Sequence, residues 1–84
     1  MSERPIAVVT GSSGGIGSAV AGLLSARGWI VHCLDRRPSG LPDVIEHQCD
    51  VTDDAALEKL AEQIGPVDAL IPAAGINLRP QDGA

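Results

Sequence analysis

Apolar residues along the 84-residue chain fall into short runs that alternate between two periodicities. Ile6–Val9 is a continuous, largely β-branched run that stops at Thr10-Gly11, the pattern of a strand buried on both faces of a parallel sheet. From Ser13 the period lengthens. Ile16, Val20, Leu23, Leu24 and Arg27 lie at helical spacing, and Gly28 stands where a C-terminal cap belongs. Trp29–Leu34 reads as a second strand, closed by Asp35-Arg36-Arg37-Pro38. Ser39–Asp43 carries Gly40 and Pro42 and reads as loop. Val44–Cys49 predicts a weaker third strand. Thr52 is a good N-cap, Asp53 and Asp54 sit in a first turn where the helix dipole favours acids, and Leu57, Leu60, Ala61 and Ile64 form one apolar stripe. Gly65-Pro66 ends that helix. Val67–Ile71 is a fourth strand, running into Pro72-Ala73-Ala74-Gly75 and a polar tail from Asn77 to Ala84. The order is β-α-β-loop-β-α-β without an internal repeat. Right-handed crossovers place these strands as 3-2-1-4 in one parallel α/β sheet.

Composition narrows the function classes. The chain is one domain at most, and at this size about 60–65% of the unfolded surface is buried on folding. Its 6 Lys and Arg against 11 Asp and Glu leave a net charge of −5, which argues against nucleic acid or an anionic membrane as partner, since both need clustered cations. Cys33 and Cys49 have neither CxxC spacing nor a ligand cluster, so they read as reduced, buried thiols and no metal is expected. Met1–Pro5 is polar and unlike a signal peptide, and no stretch approaches the roughly 18 apolar residues of a membrane span. The expectation is a soluble, cytoplasmic protein.

Thr10-Gly11-Ser12-Ser13-Gly14-Gly15-Ile16-Gly17 joins the first strand to the first helix. A pyrophosphate held there needs a sharp turn, an approach free of Cβ atoms, and helix N–H groups aimed at its charge. Gly11 suits the turn, Gly15 the close approach and Gly17 tight helix–strand packing. Ser12 and Ser13 add hydroxyl donors, and Ile16 completes the segment. A Gly-x-Gly-x-x-Gly loop would point to the older dinucleotide folds. Gly11-x-x-x-Gly15-x-Gly17 after Thr10 instead resembles the short-chain dehydrogenase/reductase family. Three further stretches extend the resemblance. Asp35 ends the second strand, where the family places its ribose-reading acid. Cys49-Asp50-Val51 looks like the family's Asp-Val pair that holds the adenine. Leu70-Ile71-Pro72-Ala73-Ala74-Gly75-Ile76 looks like its Asn-Asn-Ala-Gly segment. The resemblance implies a Rossmann-type half-domain over residues 1–84, the N-terminal part of an NAD(P)-binding domain. Its contacts would come from Gly11, Ser12, Ser13, Gly15, Ile16, Gly17, Asp35, Arg36, Asp50, Val51, Ala74 and Gly75.

Charge distinguishes the cofactors. A carboxylate at Asp35 accepts ribose hydroxyls, whereas a 2′-phosphate there would meet like charge. Two unit charges about 4 Å apart repel by about 4 kcal/mol at an effective dielectric of about 20, roughly a thousandfold in affinity. Arg36 works against this, because a guanidinium can fork onto a phosphate; its other readings are a solvated surface cation or a stack on adenine. NAD is expected over NADP.

The departures from the family matter equally. The resemblance implies a catalytic Ser, Tyr and Lys with a supporting Asn, yet the chain has no Tyr, and its only Lys, Lys59, lies on the polar side of the second helix. No catalytic residue is assigned, and the catalytic and substrate half is expected to be absent. His32 and His47 read as packed or edge histidines. Pro72 and Ala73 replace the two Asn residues of the family segment. The parent reaction implied is hydride transfer between NAD(P) and an alcohol or carbonyl, with this chain binding nucleotide but not catalysing. A stand-alone nucleotide-binding or regulatory module and a non-functional remnant remain as alternatives. Strand four would leave one sheet edge unpaired, so self-association through that edge is expected.

Overall fold

A computed structural model describes residues 4–50 and 52–73. The elements are β1 (Ile6–Thr10), α1 (Gly15–Ala26), β2 (Ile30–Asp35), β3 (Ile45–Gln48), α2 (Asp54–Ile64) and β4 (Ala69–Pro72). The strands form one sheet in the order β3-β2-β1-β4, and every pairing is parallel. The architecture is the Rossmann-type half-domain the sequence predicts.

The two faces of the sheet are covered unequally. Val9, Val31 and Cys33 point to the face carrying α1, where they form a core with Ala21 and Ala73. Ile16, Leu24, Trp29, Leu41, Val44 and Ile71 pack around it. Residues of the opposite parity meet α2, a looser layer. Val8, Thr10, Leu34, Leu70 and Pro72 of the sheet face Leu57, Ala61 and Ile64 of α2 across an apolar hollow of about 480 Å³. No residue of α2 is buried.

Several boundaries differ from the sequence reading, each for a local reason. The first helix starts at Gly15 with Gly14 as its N-cap, because the turn after β1 occupies the intervening residues. Leu23, expected on the inner stripe, is 53% exposed; the small residues Gly17 and Ala21 take the buried positions and bring α1 close to the sheet. Trp29 packs against the core from just before β2. Thr52 is not the cap of α2. Asp53 is, its Oδ1 accepting from the amides of Ala55 (3.1 Å) and Ala56 (3.2 Å), while the Thr52 hydroxyl donates to Asp50. The fourth strand begins at Ala69 rather than Val67, since Asp68 is taken up in joining β1. Its amide donates to the Ile6 carbonyl and its Oδ2 accepts from the Ile6 amide, both at 2.8 Å. Pro72 stands last in β4, opposite Thr10, where its missing donor costs least.

Candidate nucleotide-binding site

The site is built where β1 and β2 end. Gly11 adopts a φ of 70°, a left-handed conformation that strains residues with a Cβ. Its amide donates to the Leu34 carbonyl at 2.9 Å, pinning the loop to the end of β2, and the Gly14 amide closes the turn onto the Gly11 carbonyl at 3.1 Å. The Ser18 amide then reaches the Gly14 carbonyl at 2.8 Å and the helix begins. Gly14 offers no side-chain cap, and the first turn of α1 holds no acid. The amides of Gly15, Ile16 and Gly17 therefore start the helix without intrahelical acceptors, an arrangement suited to an anion.

The glycines divide the work. A Cβ on Gly15 would meet nothing within 4 Å, so its absence leaves open space at the helix start. A Cβ on Gly17 would run into the Gly11 carbonyl oxygen and lie 2.8 Å from the Gly11 carbonyl carbon. Gly17 thus packs α1 against the Gly11-Ser12 loop backbone, rather than against the strand as the sequence reading has it.

The two serines point in different directions. Ser12 is fully buried, and its hydroxyl lacks a hydrogen-bond partner among the described residues. It lies beside the Cys33 thiol without reaching bonding geometry; burial pushes that thiol up, and the nearby Ser12 hydroxyl opposes the shift. Ser13 is exposed, and both its amide (3.0 Å) and its hydroxyl (2.7 Å) donate to Asp35 Oδ2. The Arg37 amide donates to Oδ1 at 3.1 Å. Partial burial raises the Asp35 pKa, but these donors outweigh it and hold the carboxyl below its ordinary range.

Arg36, next in the chain, turns away toward β3. Its Nη2 donates to Asp50 Oδ2 at 2.8 Å; the Arg36 side chain is largely solvated and that of Asp50 half-buried. Asp50 Oδ1 accepts from the Thr52 hydroxyl (2.6 Å) and amide (2.9 Å). The Thr52 hydroxyl and the Arg36 guanidinium together hold the Asp50 carboxyl far below the usual carboxylate range. Val51, Ala74 and Gly75 lie outside the described residues.

Sequence spacing could not have shown the Ser13–Asp35 and Arg36–Asp50 bonds, which join residues 22 and 14 positions apart. The Asp50–Thr52 contact was accessible, since an Asp bonding its own backbone two residues on is a local turn habit. Cys33 and Cys49 are free thiols, the first buried and the second half-buried. Burial raises the pKa of Cys49 as well. Among the described residues, no helix is long and apolar enough to cross a membrane.

Comparison with known proteins agrees with this geometry. The model of the NAD dependent epimerase/dehydratase family matches residues 7–82. The chain is 34% identical to a 2,3-dihydro-2,3-dihydroxybenzoate dehydrogenase of Bacillus subtilis, over 93% of this chain and 35% of that protein. It superposes on a short-chain dehydrogenase from Streptomyces avermitilis with a TM-score of 0.65 and 31% identity, covering 83% of this chain and 30% of that one. A 3-ketoacyl-(acyl-carrier-protein) reductase from Brucella melitensis, solved with NADH, superposes with a TM-score of 0.63 and 26% identity, over 81% of this chain and 33% of that one. The chain spans about a third of the length of these proteins. In sequence and in strand order alike, the chain belongs to the short-chain dehydrogenase/reductase family and corresponds to its N-terminal part.

Proposed function

We propose that this chain binds a nicotinamide dinucleotide, with NAD preferred to NADP, and serves as the cofactor-binding portion of an enzyme that moves hydride between that cofactor and an alcohol or carbonyl. One observation carries the reading: an uncapped, acid-free helix N-terminus, cleared by Gly15, stands beside a carboxylate held ionised at the end of β2. The amides of Gly15, Ile16 and Gly17 suit the pyrophosphate, with Gly11 shaping the turn beneath it. Ser12 and Ser13 bracket that turn, and Asp35 offers its oxygens to the adenosine ribose. Arg36 is bound to Asp50, which leaves like-charge repulsion from Asp35 to act on a 2′-phosphate. Asp50 and Val51 would hold the adenine, as the family resemblance implies, and Ala74 and Gly75, which follow β4 in sequence, would complete the cofactor contacts.

When bound, the nicotinamide ring accepts or donates the hydride. Proton transfer at the substrate oxygen needs a positioned acid or base, and this chain has no Tyr to supply one. The 84 residues are therefore expected to bind without turning over. Saturation-transfer NMR with NAD, alongside a search for NADH formation from a panel of secondary alcohols, tests both halves. Signal transfer to NAD without NADH formation supports the reading, and reproducible turnover by the purified chain contradicts it.

A further inference from the structure

His47 is the one side chain of β3 that is not exposed. Ile45, Glu46 and Gln48 stand out to solvent, and the Glu46 carboxylate bonds Ser39 in the loop that leads into the strand. Apart from its backbone ladder with β2, β3 is therefore tied to the sheet by a single side chain. The register sets His32 opposite Ile45 and Leu34 opposite His47, so the two histidines are diagonal neighbours on the α2 face. Their ring centroids are 5.2 Å apart. His32 Nδ1 meets His47 Nε2 at 2.9 Å, a hydrogen bond in which one neutral ring donates and the other accepts. Both residues are half-buried.

We propose that the His32–His47 pair is an acid-sensitive latch, closed while the rings share a proton between their facing nitrogens and opened when both become imidazolium, so that acid releases β3 ahead of the rest of the sheet. A first added proton settles on the outer nitrogen of the donor ring. The contact becomes an imidazolium–imidazole bond, which is charge-assisted and holds. A second proton must take the lone pair that accepts this bond. Two N–H groups then face each other without an acceptor, and like charges repel.

The elements packed against the pair supply apolar groups. Val8 of β1 lies opposite His32, Leu34 and Ile45 flank the rings on the same face, and α2 turns Leu57, Ala61 and Ile64 toward the sheet. The charged residues of α2, Asp54, Glu58, Lys59 and Glu62, are exposed, and Asp35 and Glu46 fall on the opposite face of the sheet. Cys49, half-buried two residues beyond His47, stays a neutral thiol, its pKa raised by burial and by Asp50, Asp35 and Asp53. Burial and His47 lower the pKa of His32. An unfolded chain takes up both protons near the ordinary histidine value of about 6.5, whereas the folded pair takes the second only at lower pH. The latch is complete above the ordinary value and is lost as pH falls through the folded one. Release reaches the end of β2, because β3 leads into the Cys49 amide and the Asp50 carboxylate, which bond the Asp35 carbonyl and Arg36.

NMR of the full chain follows both events. Ring nitrogen shifts should show the pair taking up protons in two separated steps. Amide-exchange protection along β3, corrected for intrinsic rates, should fall at least tenfold with the second step while β1 stays protected. His47→Gln, whose amide still reaches for His32 but takes no charge, should keep β3 protected over the same acid range, and His32→Gln repeats the test from the other strand. Should neither variant fold, the measurements on the unmodified chain still decide. Two histidines titrating independently at the ordinary value, β3 and β1 losing protection together, or an unchanged acid loss in the Gln variants would overturn the proposal.

Discussion

Ser13 gives Asp35 both of its donors, the amide at 3.0 Å and the hydroxyl at 2.7 Å, on the same carboxylate oxygen. The glycine loop and the end of β2 are thereby held as one unit before any ligand arrives. A carboxylate has about four lone-pair sites, and with the Arg37 amide three are in use. A ribose diol must share the carboxylate with the Ser13 hydroxyl or displace it. Ser13→Ala should therefore change NAD affinity by no more than a few-fold, because the two amides still orient Asp35. Asp35→Ala should weaken it at least tenfold. Parallel calorimetric titrations distinguish the two, and an equal loss in both variants would make Ser13 the primary contact.

The same bonds predict a pH dependence. The folded-state pKa of Asp35 lies below its unfolded value, so its contribution to stability is fully present above the unfolded pKa of about 3.9. It is lost as pH falls through the lower folded value. Stability of the chain should decline with acidification in that window, and Asp35→Asn should flatten the decline. Urea midpoints measured from pH 6 down to pH 2.5 check this; identical profiles would show that Asp35 contributes nothing to the acid dependence.

Gly15 and Gly17 should separate binding from folding. Gly17→Ala forces a Cβ into the Gly11-Ser12 backbone, an overpacking cost of about 1–3 kcal/mol, visible as a lower urea midpoint. Gly15→Ala meets open space and should leave stability unchanged or slightly raised through helix propensity. Its methyl should nevertheless weaken nucleotide binding by tenfold or more. Undiminished binding in Gly15→Ala would mean that the phosphates lie elsewhere.

Arg36 donates to Asp50, and under the proposed function that bond would occupy it when a 2′-phosphate approaches. Releasing it with Asp50→Asn should narrow the gap between NAD and NADP, and added salt should partly reproduce the effect, since the Arg36 end of the pair is solvated. The ratio of the two dissociation constants is the readout, because losing an adenine contact from Asp50 would weaken both ligands. An unchanged ratio would show that Arg36 plays no part in selection.

The outer edge of β4 should drive self-association. Leu70 is 62% exposed, and the Asp68 carboxylate is bonded to the Ile6 amide of β1 rather than free at the outer edge. Light scattering after size exclusion should show mass rising with concentration, and Leu70→Lys should reduce it, as a charge protects an edge strand. A concentration-independent monomer with several kcal/mol of stability would contradict this.

Much of the fold was legible because it rests on local rules. The β-branched run at Ile6–Val9, the change to helical spacing after it, and the Gly28 and Gly65 stops specify four strands and two helices. Crossover handedness then orders the sheet. Boundaries failed where a side chain chose a distant or competing partner. Asp68 bonds Ile6 across 62 positions and delays β4, and Asp50 draws Thr52 away from capping α2. The glycine loop and Asp35 were readable as a motif. That Ser12 turns inward while Ser13 binds Asp35 depends on tertiary placement, which no local pattern encodes.

Under the proposed function, a loop cleared by glycine and a carboxylate at Asp35 together select NAD. Isothermal titration of the unmodified chain with NAD and with NADP, repeated on Asp35→Ala, tests it most directly. Saturable NAD binding, NADP binding weaker by at least tenfold, and a gap that narrows in the variant are expected. No binding of either nucleotide, or equal affinities that Asp35→Ala leaves unchanged, would contradict it.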